Sequence, residues 1–370
     1  MRVHIVDPSA YTPPYDHALC RALAAIGAEV GLFTSRFAYG SVPSPQGYAR
    51  RDFFYRAAVG PPGSRTRRLA KLAEHVPDML RYRRAARTAD VVHFQWLTVQ
   101  HLDGHLLPAR RAPSGVRRPL VLTAHDILPR EPRPGQLAAQ RRLYERFDAL
   151  VVHSEHGRRR LTDELGIDSA RVYVIPHGAF LAPPVERSSS SPPRPLQTDA
   201  PVVLFFGLLR PYKGLDLLLD AWRGIDGAEL WIVGMPRMDI SSLQAAAPPG
   251  VRFVPRFVSD AEAAACFARA DLLVLPYREI DQSGVAFTAL GAGVPMLLSD
   301  VGGFPELATT GAARTFPAGD VAALHAALQE LLSDPRALAA MAERAHAAAS
   351  GPYSWDAVAR RTLDLYESLS

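Results

Sequence analysis

Two fixed cations, Arg210 and Lys213, stand in the stretch Gly207-Leu-Leu-Arg-Pro-Tyr-Lys-Gly214. An apolar run, Val202–Phe206, precedes it, and Leu215, Leu218, Leu219 and Trp222 follow at helical spacing. A lysine just before a helix start opposes the helix dipole, so its placement makes sense if an anion lies between the two side chains. Two further stretches repeat the pattern without the charges. Asp271-Leu-Leu-Val-Leu275 reads as a strand ending at Pro276, and an apolar segment begins at Gly284 and is stopped by Gly291, Gly293 and Pro295. Met296–Ser299 reads as the next strand, and Gly302-Gly303 precedes Pro305 at a third helix start. Free N–H groups at helix starts, next to small residues, can receive an anion. Such glycines can also do no more than tighten turns. Three loops of this kind in one half of the chain point to a diphosphate. Arg210 and Lys213 would supply the charge, and Ser283, Gly284 and Val285 the N–H groups.

The first half carries a different polar group. Leu120–Thr123 reads as a strand that ends in Ala124-His125-Asp126. A polar trio at the carboxyl end of a strand is where open α/β sheets hold ligands, so His125 is a candidate active-site residue. His93, at the end of another strand, is as readily a locally satisfied side chain, and His4 reads as core. His177, in Pro176-His-Gly178, reads as turn chemistry.

These loops need a scaffold of alternating strands and helices, and the chain supplies one. Val3–Val6, a helix from about Asp16 to Ile26 and Glu29–Phe33 open a βαβ unit without the G-x-G-x-x-G pattern of dinucleotide dehydrogenases. Residues 34–63 are poorly patterned. With 370 residues, and domains of roughly 100–200 residues, two domains are expected. The boundaries fall at 1–182 and 201–351. A proline- and serine-rich linker spans 183–200, and a separate helical tail spans 352–370.

Composition excludes several classes. Charged residues make up 21% and hydrophobic residues 48%, which suits packed domains rather than disorder. The net charge of +5 permits an acidic partner, but no aromatic-and-basic module for nucleic acid is present. Cys20 and Cys266 do not make a disulfide framework and fit a reducing cytoplasm. No stretch approaches the roughly 20 apolar residues of a membrane span. Between Ser64 and Arg87, eight cations face two acids, with Pro77 expected to break the helix. This segment is either a solvated face or a basic surface for peripheral contact with the inner face of an anionic membrane. No cluster has metal-ligand spacing, and no cofactor is expected.

The strings FFGLLRPYKGLDLLL, PYREIDQSGV…ALGAGVPMLLSDVGGFPEL and YSWDAVARRTLDLYESL together resemble the family 4-type glycosyltransferases of glycosyl transferases group 1. The resemblance covers nearly the whole chain. It implies the GT-B fold: two Rossmann-like α/β domains facing across a cleft, with the C-terminal helix crossing back to the N-terminal domain. It further implies a retaining, metal-independent transfer from a nucleotide-diphosphate sugar to a hydroxyl acceptor. His125 would lie near the reacting sugar, and Phe257 and Val258 near the base. Asp281 and Gln282 would meet sugar hydroxyls, with Thr288 and Glu306 near the ribose. The family's paired glutamates fall on Ile280 and Thr288 here, and its loop arginine falls on Leu208, with Arg210 two places on. A nucleotide-sugar 2-epimerase of the same architecture, or a non-catalytic binding subunit, are the alternatives.

Overall fold

A computed structural model describes residues 1–370 except 39, 59, 62–63, 112–114, 116, 130–133, 181–191 and 194–195, and except the side chains of residues 100 and 101. The chain divides into two compact units, Met1–Pro176 with Trp355–Ser370, and His177–Ser354. Most of the expected linker, 183–191 and 194–195, lies outside the described residues.

The first unit is built on seven parallel strands: β1 (Arg2–Asp7), β2 (Glu29–Ser35), β3 (Ala49–Phe54), β4 (Val91–Phe94), β5 (Leu120–Thr123), β6 (Ala149–Val152) and β7 (Val172–Val174). Their order in the sheet is β3-β2-β1-β4-β5-β6-β7. Every residue of β4, β5 and β6 is buried, as expected of parallel strands covered on both faces. The helices are α1 (Pro13–Ala25), α2 (Arg65–Ala85), α3 (Gln100–Leu106), α4 (Gln136–Tyr144) and α5 (Glu155–Arg159).

Three elements differ from the sequence expectation. Helix α1 begins at Pro13, ahead of Asp16, because proline's fixed φ suits the first helical turn and its missing N–H costs nothing there. Strand β3 lies within the poorly patterned segment. It is an edge strand of sequence ARRDFF in which Arg51 and Asp52 are exposed and Arg50 is half-buried, so no clean alternation marks it. Helix α2 runs unbroken through Pro77. Proline removes one internal hydrogen bond, but the flanking turns are held by tertiary contacts. Asp78 accepts the Tyr55 backbone N–H at 2.6 Å, and His75 bonds Tyr55 at 2.7 Å and Asp103 at 2.6 Å.

The second unit has six parallel strands: β8 (Val202–Phe206), β9 (Glu229–Val233), β10 (Val251–Val254), β11 (Leu272–Leu275), β12 (Met296–Ser299) and β13 (Ala313–Phe316), in the order β10-β9-β8-β11-β12-β13. Its helices are α6 (Leu215–Ala221), α7 (Ser241–Ala245), α8 (Asp260–Arg269), α9 (Gly284–Ala292), α10 (Phe304–Ala308), α11 (Val321–Ser333) and α12 (Pro335–Ser350). Residues 177–180 go with this unit, where the Ala179 N–H donates to Tyr353 and the Phe180 N–H to Phe287. His177 is buried, with its ring stacked 4.6 Å from that of Phe287.

The last helix, α13 (Trp355–Leu369), returns to the first unit and packs on α1. Val358, Ala359, Thr362, Leu365 and Tyr366 form its buried face, at the spacing of one helical stripe. Trp355 meets Tyr15 with ring centroids 5.1 Å apart. The Tyr366 hydroxyl lies 2.6 Å from His93 Nδ1, and Thr123 lies 2.7 Å from His93 Nε2. His93 is therefore fully engaged inside the sheet and is structural. Among the described residues no helix is long and apolar enough to cross a membrane. Both cysteines are buried and free.

Burial holds three histidines of the first unit neutral: His4 and His153 are pushed down to about 4 and His93 to about 3, from an ordinary 6.5. Below pH 6.5 the unfolded chain takes up protons that the folded chain refuses. Their stabilising effect is thus complete above pH 6.5 and is lost as the pH falls from there toward 3–4. Chemical denaturation should show stability declining from about pH 6.5. Histidine NMR that finds these rings titrating near 6.5 in the folded chain would mean that they are solvated.

Candidate active site

Both sheets change winding direction once, between β1 and β4 and between β8 and β11. Ligands of open α/β sheets bind outside the carboxyl ends of the strands at such points. In the second unit this brings the loop after β8 (207–214) beside the loop after β11 (276–283).

Backbone contacts fix the first of these loops. The Gly207 N–H donates to Val233, the Leu209 N–H to Met235 and the Arg237 N–H to Leu209, all at 2.9–3.0 Å. At Gly234 φ is 149°, and a Cβ would overlap the Gly207 carbonyl oxygen. Arg278 ties the second loop to the first. Its N–H donates to the Tyr212 carbonyl at 2.8 Å, and its guanidinium donates to the Pro211 carbonyl at 2.9 Å and to both Asp216 carboxylate oxygens at 2.9 and 2.6 Å. The second loop also rests on the stretch after β12. A Cβ at Gly302, where φ is 60°, would overlap the Ile280 carbonyl, and the Gly303 N–H donates to Asp281 at 3.2 Å.

Inside this frame Lys213 is buried, with Nζ 4.9 Å from the centre of the Tyr277 ring. A Cβ placed on Gly207 would stand 3.0 Å from that Nζ and 3.3 Å from Val285 Cγ2. Lys213, Gly207 and the start of α9 therefore converge. Gly284, the first residue of α9, has open space where a side chain would be, and the preceding Ser283 is buried. Arg210 is exposed and opens a 3-10 turn, Pro211–Lys213, whose Lys213 N–H donates to the Arg210 carbonyl.

The dipole argument applies to fewer helices than expected. Gly214 separates Lys213 from α6, which has only seven residues, and α10 has five. Short helices sum few peptide dipoles, so α9, with nine residues, is the one helix of the three suited to an anion. The remaining predicted residues are dispersed around it. Asp281 and Gln282 are half-buried in the second loop, and Glu306 is in the first turn of α10. The Thr288 hydroxyl donates to the Gly284 carbonyl at 3.0 Å, within its own helix. Phe257 is 60% exposed, whereas Val258 buries its side chain in the core. Gly207, Tyr277 and Arg278 were not anticipated. Their signal was position, since each directly or closely follows a strand end.

In the first unit the loops after β1, β4 and β5 enclose a cavity of about 570 Å³, lined by Tyr11, Trp96, Thr98, His125 and Tyr144 among others. His125 lies under Trp96, with the rings stacked at 5.0 Å, and the Tyr15 ring meets it edge-on at 4.8 Å. Its Nε2 is 3.1 Å from Gln95 Oε1 and its Nδ1 is 3.2 Å from His153 Nε2. Asp7, buried at the end of β1, shapes the first loop by accepting the N–H groups of Ser9, Tyr11 and Thr12. Beside it Asp16 is fully buried, and burial together with Asp7 pushes it well above the usual carboxylate range. Trp96 and His153 were not singled out from sequence, because single aromatic residues after strands carry no pattern. Among the described residues no group of three His, Cys, Asp or Glu side chains is placed to hold a metal ion.

Two family models match the chain: Glycosyltransferase Family 4 over residues 15–181 and Glycosyl transferases group 1 over residues 200–334. The chain belongs to the group 1, family 4 glycosyltransferases. This glycosyltransferase is 28% identical over 329 residues to D-inositol 3-phosphate glycosyltransferase of Kineococcus radiotolerans, covering 77% of this chain and 72% of that protein. It is 30% identical to the protein of that name from Mycobacterium avium, covering 72% of this chain and 66% of that protein. In structure it is similar over its whole length to sucrose-phosphate synthase from Thermosynechococcus elongatus, with a TM-score of 0.73, 19% identity and 99% of that chain covered. It is also similar to Anabaena HepE in complex with UDP-glucose, with a TM-score of 0.71, 18% identity and all of that chain covered. The structural likenesses establish the GT-B type of fold, two Rossmann-like parallel-sheet domains.

The contact at Gly234 generates a prediction. Gly234→Ala forces a Cβ into the Gly207 carbonyl at a φ that L-residues disfavour, and should destabilise the glycosyltransferase by more than about 1 kcal/mol. Chemical denaturation checks this, and an unchanged midpoint would show that the loop after β8 is free to move.

Proposed function

We propose that this glycosyltransferase takes its sugar from a nucleoside-diphosphate donor bound at the loops after β8, β11 and β12, and transfers it to a hydroxyl acceptor. The observation that carries the reading is the convergence of the Lys213 ammonium, the bare Cα of Gly207 and the open N-terminus of α9 at one switch point. Lys213 and Arg210 neutralise the diphosphate, and the N–H groups of Ser283, Gly284 and Val285 point to the phosphate or sugar. As the bond from the sugar carbon to the diphosphate oxygen breaks, charge grows on that oxygen, and fixed donors stabilise it most there. No resident metal is assigned a part. Asp281 and Gln282 contact sugar hydroxyls, and Glu306 lies nearer the ribose. Retention of anomeric configuration is part of the reading, supported by family membership.

The acceptor is assigned to the first unit's cavity, where Trp96, Tyr11 and Tyr144 offer aromatic faces and His125 a polar group. Aromatic faces suit the C–H side of a polyol or sugar ring. The relatives' name, D-inositol 3-phosphate glycosyltransferase, supports an acceptor of that class. Charged hydrogen bonds are worth about 1.5–3 kcal/mol, or roughly 10- to 150-fold in affinity. Lys213→Ala should therefore weaken nucleoside diphosphate and nucleotide sugar alike by about that factor in calorimetric titration, with transfer lost in parallel. Wild-type affinity in the variant would remove the donor from this loop.

A second part of the reading is contact with membrane. Leu69 is 67% and Leu72 54% exposed on α2, and Val76 and Leu80 continue the stripe at spacings of three or four residues. Arg65 and Arg83 extend the same face at its two ends, and both are exposed, as is Arg87 in the turn after α2. An apolar strip between arginines suits an anionic lipid surface better than water. Vesicles containing phosphatidylglycerol should sediment the protein, and pure phosphatidylcholine vesicles should not. Salt should weaken the binding, and Leu69→Gln with Leu72→Gln should abolish it. Equal sedimentation with both vesicle types, or with neither, would leave α2 a solvated face.

A further inference from the structure

His153 follows β6 and is buried beneath His125. Its Nδ1 lies 3.0 Å from the Ile175 carbonyl oxygen. A carbonyl only accepts, so Nδ1 carries the hydrogen and donates it. Burial opposes a second proton on this ring, which leaves Nε2 with a lone pair. That lone pair faces His125 Nδ1 at 3.2 Å, so His125 Nδ1 must be the donor. On the other side of the His125 ring Gln95 is fully buried. Its Oε1 is 3.1 Å from His125 Nε2, and its amide nitrogen is buried without a hydrogen-bond partner among the described residues.

We propose that His153 is a positioning residue that fixes a hydrogen on His125 Nδ1 and so confines the exchangeable proton of His125 to Nε2, beside Gln95. When His125 is protonated, Nε2–H donates to Gln95 Oε1. When that proton leaves, a half-turn of the amide presents its N–H to the bare Nε2, which also gives the amide nitrogen a partner. The Ile175 carbonyl, His153, His125 and Gln95 thus form a directed chain across the carboxyl ends of β7, β6, β5 and β4, and the proton enters and leaves at one end. Among the described residues, the groups around the ring include Tyr15 from α1, Trp96 and Gln95 after β4, and His153 after β6. The exposed Asp126 is its chain neighbour, and His93 lies within the electrostatic reach of His153. The bearing of this chain on sugar transfer rests on the proposed placement of His125 in the active site. The tautomer itself does not.

The test is two-bond ¹⁵N–¹H correlation on the full chain labelled with ¹⁵N-histidine, titrated between about pH 5 and 8. In the wild type, His125 Nδ1 should stay protonated throughout and Nε2 alone should titrate. His153→Phe keeps a ring but removes the acceptor, and neutral His125 should shift to the Nε2–H tautomer or a mixture. His153→Gln, whose side-chain oxygen can accept, should restore the Nδ1–H form. The pH profile of kcat/KM should move in His153→Phe and return in His153→Gln, whereas a purely structural defect would lower activity without moving it. A wild-type His125 with a bare Nδ1 would overturn the proposal, even if neither variant folds. So would an unchanged tautomer in His153→Phe. If the wild type transfers no sugar, the donor reading fails and the NMR result still decides the tautomer.

Discussion

At Gly234 and again at Gly302 the backbone of one loop runs directly against the carbonyl of another, with no room for a Cβ. The geometry of the second unit's site depends on these two crossings. The first holds the stretch after β9 against Gly207, and the second holds the stretch after β12 against Ile280 and Asp281. Backbone packed on backbone has no rotamers to relax through, so the loops after β8, β9, β11 and β12 keep one arrangement. The Lys213 ammonium stays at Gly207 because both ends of its loop are held.

Charge does a different job in the same place. Arg278 joins the loops after β8 and β11 through two carbonyls and the Asp216 carboxylate, and holds that carboxyl below its usual range. Both side chains are 41–50% exposed, so the pair adds little to overall stability. Its contribution is to register: the bidentate bond sets where Tyr277 begins and therefore where its ring meets Lys213. The first unit uses buried groups instead. Asp7 gathers three N–H groups of the loop after β1, and burial beside it pushes the Asp16 carboxyl up, against a second charge in the core.

The returning helix α13 links the end of the chain to the first unit's sheet. Its Tyr366 hydroxyl bonds His93, whose other nitrogen bonds Thr123, directly before the Ala124-His125 turn. Its Trp355 packs on Tyr15, which meets His125 edge-on. The residues that cage His125 are therefore supported from both ends of the sequence.

The βαβ rhythm and the glycine-marked loops were legible in the sequence, because apolar periodicity and turn residues are local signals. So were the candidate loops, since strand ends followed by Gly, Ser or Lys can be read without knowing what lies nearby. Tertiary structure alone decided which of these residues meet. Lys213 and Val285 both approach Gly207, while Val258 turns into the core and Thr288 bonds its own helix. It also decided that α2 passes through Pro77, that the polar edge strand β3 forms, and that His153 stands beneath His125. Each of these depends on partners distant in sequence: Tyr55 for α2, β2 for β3, and Ile175 for His153. Local propensity carries no information about such partners, because packing and hydrogen bonding to distant groups supply the energy that selects them.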